Sequence, residues 1–148
     1  MKRYKIGVSP AGLIVYALQL LPNLLWLAAP PANDALARNS SPVPLWNILE
    51  GIFGAATVAL LILLVPRDGG RRSRLFLWAA AAFLLGYYAA WALYYGGNVS
   101  PALLILGLAA MPPLYFLSAA LRLKNDAVPL PCAVFGAIHI AITCSTYL

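Results

Sequence analysis

The chain has 148 residues, a net charge of +6, 63% hydrophobic residues and 9% charged ones, with a mean hydropathy of +0.84. A soluble domain carries about 25% charged residues, so this composition excludes one and calls for a lipid solvent. It also excludes a nucleic-acid reader, because the basic residues fall in short clusters between apolar runs and form no basic face with interleaved aromatics.

Residues 1–9 carry Lys2, Arg3 and Lys5, and no small-residue cleavage motif follows them. That predicts a retained first helix rather than a signal peptide. The first helix is expected over 10–29, long enough at 1.5 Å per residue to cross a hydrocarbon core of about 30 Å. Tyr16, Gln19, Asn23 and Trp26 follow one another at helical spacing and share a face, and Pro22 should kink the helix beside Asn23. Residues 30–43, PPANDALARNSSPV, have the composition of a loop. The second helix, 44–65, reads PLWNILEGIFGAATVALLILLV and holds Glu50 about two turns inside its start. A charge at that depth is costly to insert and marks a protein-facing functional position.

A tight basic turn, PRDGGRRS, leads into the third helix, 74–95, whose last third gathers Tyr87, Tyr88, Trp91, Tyr94 and Tyr95. The fourth, 101–121, is interrupted at Pro112-Pro113, and the fifth, 128–147, contains His139, the sole histidine. The sequence therefore predicts an all-α membrane protein, one integral domain over 1–148 with five transmembrane helices. With the N-terminus in the cytoplasm and the C-terminus outside, nine of the ten basic residues lie on the inner side and only Arg38 on the outer, as the positive-inside rule requires.

That topology brings polar groups of several helices to one depth. Asn23, Glu50 and His139 each lie about 9–13 Å below the outer end of their helix, and Tyr87, Tyr88 and Trp91 occupy the same half. Asn47, Glu50, Gly54 and Thr57 share one helix face; Cys132, Gly136, His139 and Thr143 share another. Small residues permit close helix approach and polar ones bond across it, so both faces should point inward, as should the small-residue series Ala82-Gly86-Ala90. The expected site is an outward-opening cavity centred on Glu50 and lined by Asn23, Asn47, Tyr87, Tyr88, Trp91 and His139. Cys132 and Cys144 lie too far apart on one helix for a disulfide. The sequence has no zinc-ligand spacing, phosphate loop or nucleophile elbow, so no metal and no cofactor is expected.

The segments LPNLLWLAAPPAND and PLWNILEG, followed by WALYYGG, MPPLYFLSAALRL and VFGAIHI, resemble a group of uncharacterised small multispanning bacterial membrane proteins over most of the chain. The resemblance implies a bacterial cytoplasmic membrane and brings no assigned activity. Translocator-type tryptophan-rich sensors are similar in length and in a Pro-Pro loop before helix two, but their tryptophan-dense motifs are missing here. Sterol-isomerase-like membrane proteins also pair an intramembrane glutamate with histidine and aromatics; here the first helix offers Asn23 where an acid is needed.

Three functions compete on these residues. In the first, the cavity binds or transports a small lipophilic or cationic molecule, with aromatic stacking and cation–π contact. In the second, Glu50 and His139 are the catalytic candidates, a proton-transfer pair acting on a membrane-soluble substrate. In the third, the protein is a structural accessory subunit. The expected partners are the lipid bilayer, a small lipophilic ligand, and a second copy or a partner membrane subunit; nucleic acid is not among them.

Overall fold

The computed structural model describes residues 3–68 and 70–148. Lys2 of the charge count and Gly69 of the basic turn lie outside the described residues. Five helical rods are each long and apolar enough to cross a membrane. They are α1 (Pro10–Ala28), α2 (Pro44–Leu63), α3 (Arg74–Tyr95), a fourth over Leu103–Arg122, and α5 (Pro129–Tyr147). Ser9 starts α1 by accepting a hydrogen bond from the Gly12 amide, 3.1 Å, and Ser73 does the same for α3 with the Leu75 amide, 3.2 Å. Proline at the first position of α1, α2 and α5 loses no helical hydrogen bond there.

Two departures from the expected boundaries have physical causes. The second helix stops at Leu63, and Leu64–Pro66 form a strand, β2, antiparallel to β1 (Tyr4–Ile6), with Tyr4 opposite Pro66 and Ile6 opposite Leu64. Apolarity alone carries the helix to residue 65, but Leu64 and Val65 pair with the N-terminal segment instead. Buried Asn125 covers the end of α2, its amide donating to the carbonyls of Leu60 and Leu64 at 2.9 Å each. The fourth rod is not broken at its prolines. Leu103–Ala110 winds as a π-helix and runs directly into α4 (Met111–Arg122). Pro112 and Pro113 cannot donate to carbonyls four residues back, and the wider winding lies over the turns that precede them.

The fourth rod is the centre of the bundle and the most buried of the five. One core cluster, around Tyr115, Phe116, Leu61 and Val128, fills the end near the basic clusters. A second, around Tyr87, Trp91, Tyr94, Leu104 and Leu108, fills the other end. Small residues set the approaches. A Cβ on Gly12 would collide with the backbone carbonyl of Leu61, which fixes where α1 crosses α2. A Cβ on Gly107 would stand 2.5 Å from that of Ala90, and one on Gly86 would meet Met111. Gly86 and Ala90 of the small-residue series thus face the fourth rod, whereas Ala82, expected on the same inward face, is exposed. On α5 a Cβ at Gly136 would come within 2.8 Å of the Pro113 ring.

Candidate functional site

The polar faces of α2 and α5 meet in antiparallel register. Glu50 hydrogen-bonds His139 through Oε1 and Nδ1, and one turn further in Gly54 leaves room for the Phe135 ring. An ionised Glu50 can only accept, and with it Nδ1 would be the donor and Nε2 the free ring nitrogen. Phe135 stacks on the imidazole with centroids 5.3 Å apart and planes at 18°. Carboxylate and ring together fix tautomer and orientation, the way a carboxylate positions a catalytic or metal-binding histidine.

His139 forms part of the wall of a cavity of about 280 Å³ in the middle of the bundle. All five rods contribute: Gln19 and Asn23 from α1, Val58 from α2, Tyr87 and Trp91 from α3, Leu108 and Pro112 from the fourth, His139 and Thr143 from α5. The Tyr87 hydroxyl accepts from Asn23 at 2.8 Å and from Gln19 at 3.3 Å, which leaves its own proton to donate. Trp91 is buried edge-on to Tyr87, and its indole N–H has no acceptor among the described residues.

Three of the expected lining residues lie elsewhere. Glu50 stands behind His139 and does not itself line the cavity, so the site is centred on the imidazole. Tyr88 points to the outside of α1, where its hydroxyl donates to the Leu18 carbonyl at 2.6 Å. Pro22 cannot donate to that carbonyl; Tyr88 supplies the missing bond. Asn47 latches the loop onto α2, accepting from the Ser41 amide and donating to the Ser41 carbonyl, both at 2.9 Å. Asn23, Tyr87, Trp91 and His139 do come together.

The sequence did not single out the roof. Residues 30–43 fold over the mouth of the cavity, and Leu36 and Asn39 line it from above. Asn39 donates to Thr143 Oγ1 at 3.2 Å, while its own Oδ1 is buried without a partner among the described residues. Asp34 anchors the roof by accepting from Tyr94, 2.7 Å, and from Trp26, 3.0 Å. Tyr94 in turn accepts from the Leu36 amide at 3.1 Å, and Tyr147 donates to the Ala35 carbonyl at 2.7 Å. The available signal was charge: Asp34 and Glu50 are the two carboxylates outside the basic end. No group of three or more His, Cys, Asp or Glu side chains converges among the described residues.

Burial works against the charge of Asp34, but the hydrogen bonds from Tyr94 and Trp26, with those from the Ala37 and Leu36 amides, outweigh it and hold the carboxyl below its ordinary 3.8. A carboxyl depressed by folding adds stability that is complete above its unfolded pKa and lost as pH falls through the folded one. The roof should therefore hold at neutral pH and loosen as the pH drops below about 4. Asp34→Asn should raise amide hydrogen exchange in 34–39 at pH 7 and abolish its acid dependence, with helix exchange unchanged.

No family model matches the chain, and neither a curated protein nor a solved structure matches it.

Proposed function

We propose that this is an integral membrane protein that binds, or carries across the bilayer, a small lipophilic molecule held in the cavity beneath residues 36–39. The observation that carries the reading is a space left unfilled at the centre of the bundle, with two buried polar atoms, Trp91 Nε1 and Asn39 Oδ1, that have no hydrogen-bond partner among the described residues. A core with only a structural task would fill the space and satisfy both, because an unmet buried polar group costs about 1–3 kcal/mol. The volume, about 280 Å³, is at the small end of ligand pockets, which span about 300–1,000 Å³. Glu50 stands behind His139 and does not line the cavity, so no carboxylate meets the ligand directly and a neutral ligand is favoured over a cationic one. It would bring an acceptor for Trp91 and a donor for Asn39 or for Nε2 of His139.

Val58→Phe tests this directly, since Val58 lines the cavity and the larger ring would occupy it. Thermal unfolding in detergent with a panel of sterols and lipophilic amines should show ligand stabilisation of the wild type, about 2.7 kcal/mol at a hundred times Kd. The variant should lose that response while unfolding no earlier without ligand. Early unfolding of Val58→Phe, with no ligand response in either protein, would support the accessory-subunit reading instead.

One observation favours proton transfer as a second reading. The Glu50–His139 pair presents an oriented ring nitrogen to the cavity, and a positioned base within reach of substrate is what such chemistry needs. The readings separate in His139→Gln, which abolishes turnover if the imidazole moves a proton but only weakens binding if it does not.

For orientation we adopt the positive-inside rule, with the basic end in the cytoplasm and the roof outside, in the cytoplasmic membrane of a bacterium. Arg3, Arg72 and Asp126 interact at the basic end, as do Lys124 and Asp68 at 3.2 Å. Ser40→Cys should react with an impermeant thiol reagent in intact cells, and Ser73→Cys only after lysis. The reverse pattern would invert the assignment.

A further inference from the structure

We propose that the basic end holds a second site, independent of the central cavity, for one anionic phospholipid. A groove of about 330 Å³ runs between α1, α3 and α4, apolar along its length and closed at one end by Arg71 and Arg122. Its walls extend from Ala11 to Leu18 on α1, from Leu77 to Leu84 on α3, and from Tyr115 to Arg122 on α4. Each is an eight-residue stretch, about 10 Å of helix from first to last Cα, reaching from the level of the guanidinium groups toward mid-bilayer. A headgroup phosphate at the arginines would lay the upper part of an acyl chain along this wall.

The charge at that end is uncompensated by the protein. Asp126 is taken by Arg3 and Arg72, and Asp68 by Lys124. No carboxylate among the described residues reaches Arg71 or Arg122. The Nε of Arg122 is buried and has no partner among the described residues. The backbone holds the two arginines at the groove: the Arg72 amide donates to the Arg122 carbonyl at 3.1 Å, and the Arg122 guanidinium donates back to the Arg72 carbonyl. This reciprocal pair fixes the basic turn onto the end of α4 with Arg71 beside Arg122. A guanidinium fork matches a phosphate diester in shape and charge, and the apolar wall supplies what an inorganic anion does not use.

The test is native mass spectrometry of the purified chain, with thermal unfolding in detergent against added phosphatidylglycerol, phosphatidylcholine of the same acyl chains, and inorganic phosphate. One phosphatidylglycerol per chain should be retained, and only that lipid should raise the unfolding temperature. Arg71 is exposed, so Arg71→Gln should fold and weaken retention about fivefold, the effect of about 1 kcal/mol per basic residue. Ala81→Phe, which fills the groove, should abolish retention. Arg74→Gln removes a charge from the same end but not from the groove wall and should retain the lipid. Equal retention of phosphatidylcholine would overturn the site, as would a shift reproduced by phosphate alone, retention by Ala81→Phe, or an equal loss in Arg74→Gln. The central cavity plays no part in any arm, so Val58→Phe should leave this lipid bound.

Discussion

Gly12→Ala should destabilise the protein by about 3 kcal/mol, the upper part of the range for overpacking, and Gly12→Val should release α1 from α2 altogether. The added carbon would meet the carbonyl of Leu61, with the carbonyl carbon 2.9 Å away. That group belongs to the α2 backbone and cannot swing aside as a side chain can. The effect should appear as early thermal unfolding in detergent, with proteolysis first between α1 and α2. Gly51→Ala is the control: nothing lies within 4 Å of the added carbon, and alanine favours a helix interior by up to about 1 kcal/mol over glycine. Equal unfolding temperatures for Gly12→Ala and wild type would mean the helices do not cross there.

The second large effect is expected at Glu50, in binding rather than in stability. Glu50→Gln preserves side-chain shape, and its carbonyl oxygen can still accept from Nδ1 of His139. Polar contacts between membrane helices average about 0.6 kcal/mol, so unfolding should change little. The negative charge is lost, and with it the basicity that a carboxylate lends to the far side of an imidazole. A ligand donating to Nε2 should bind about tenfold more weakly, equivalent to about 1.4 kcal/mol. His139→Gln should cost about as much, and the double variant little more, because the two residues act as one unit. Full additivity of the single losses would show that Glu50 acts on the ligand by a route that bypasses His139.

The five long apolar helices were legible because lipid imposes both length and apolarity on any helix able to span it. Spacing likewise gave the stripe of Tyr16, Gln19, Asn23 and Trp26: three of these line the cavity and the fourth holds Asp34. Glu50 and His139 could be paired in advance because both helices carry small residues one turn away on the same face. Where reasoning by depth failed, a local need of the backbone had claimed the side chain. Tyr88 serves the carbonyl freed by Pro22, and Asn47 serves the loop at Ser41. Neither demand leaves a periodic trace. The roof was illegible for a related reason, since loop conformation follows from tertiary partners such as Tyr94 and Tyr147 that lie far away in sequence.

The short ribbon of β1 and β2 also bears on the order of synthesis. Tyr4 pairs with Pro66, so the two strands close a ring containing α1, the roof and α2, and no main-chain bond in that ribbon depends on anything made later. The ring can shut as soon as residue 66 is available, before Arg74 and the third helix exist. From then on α1 can no longer turn over by itself, because main-chain hydrogen bonds tie its foot to the foot of its neighbour. Arg122 and Lys124 lie downstream of the ribbon in the chain, so the pairing of the first two helices does not wait for them.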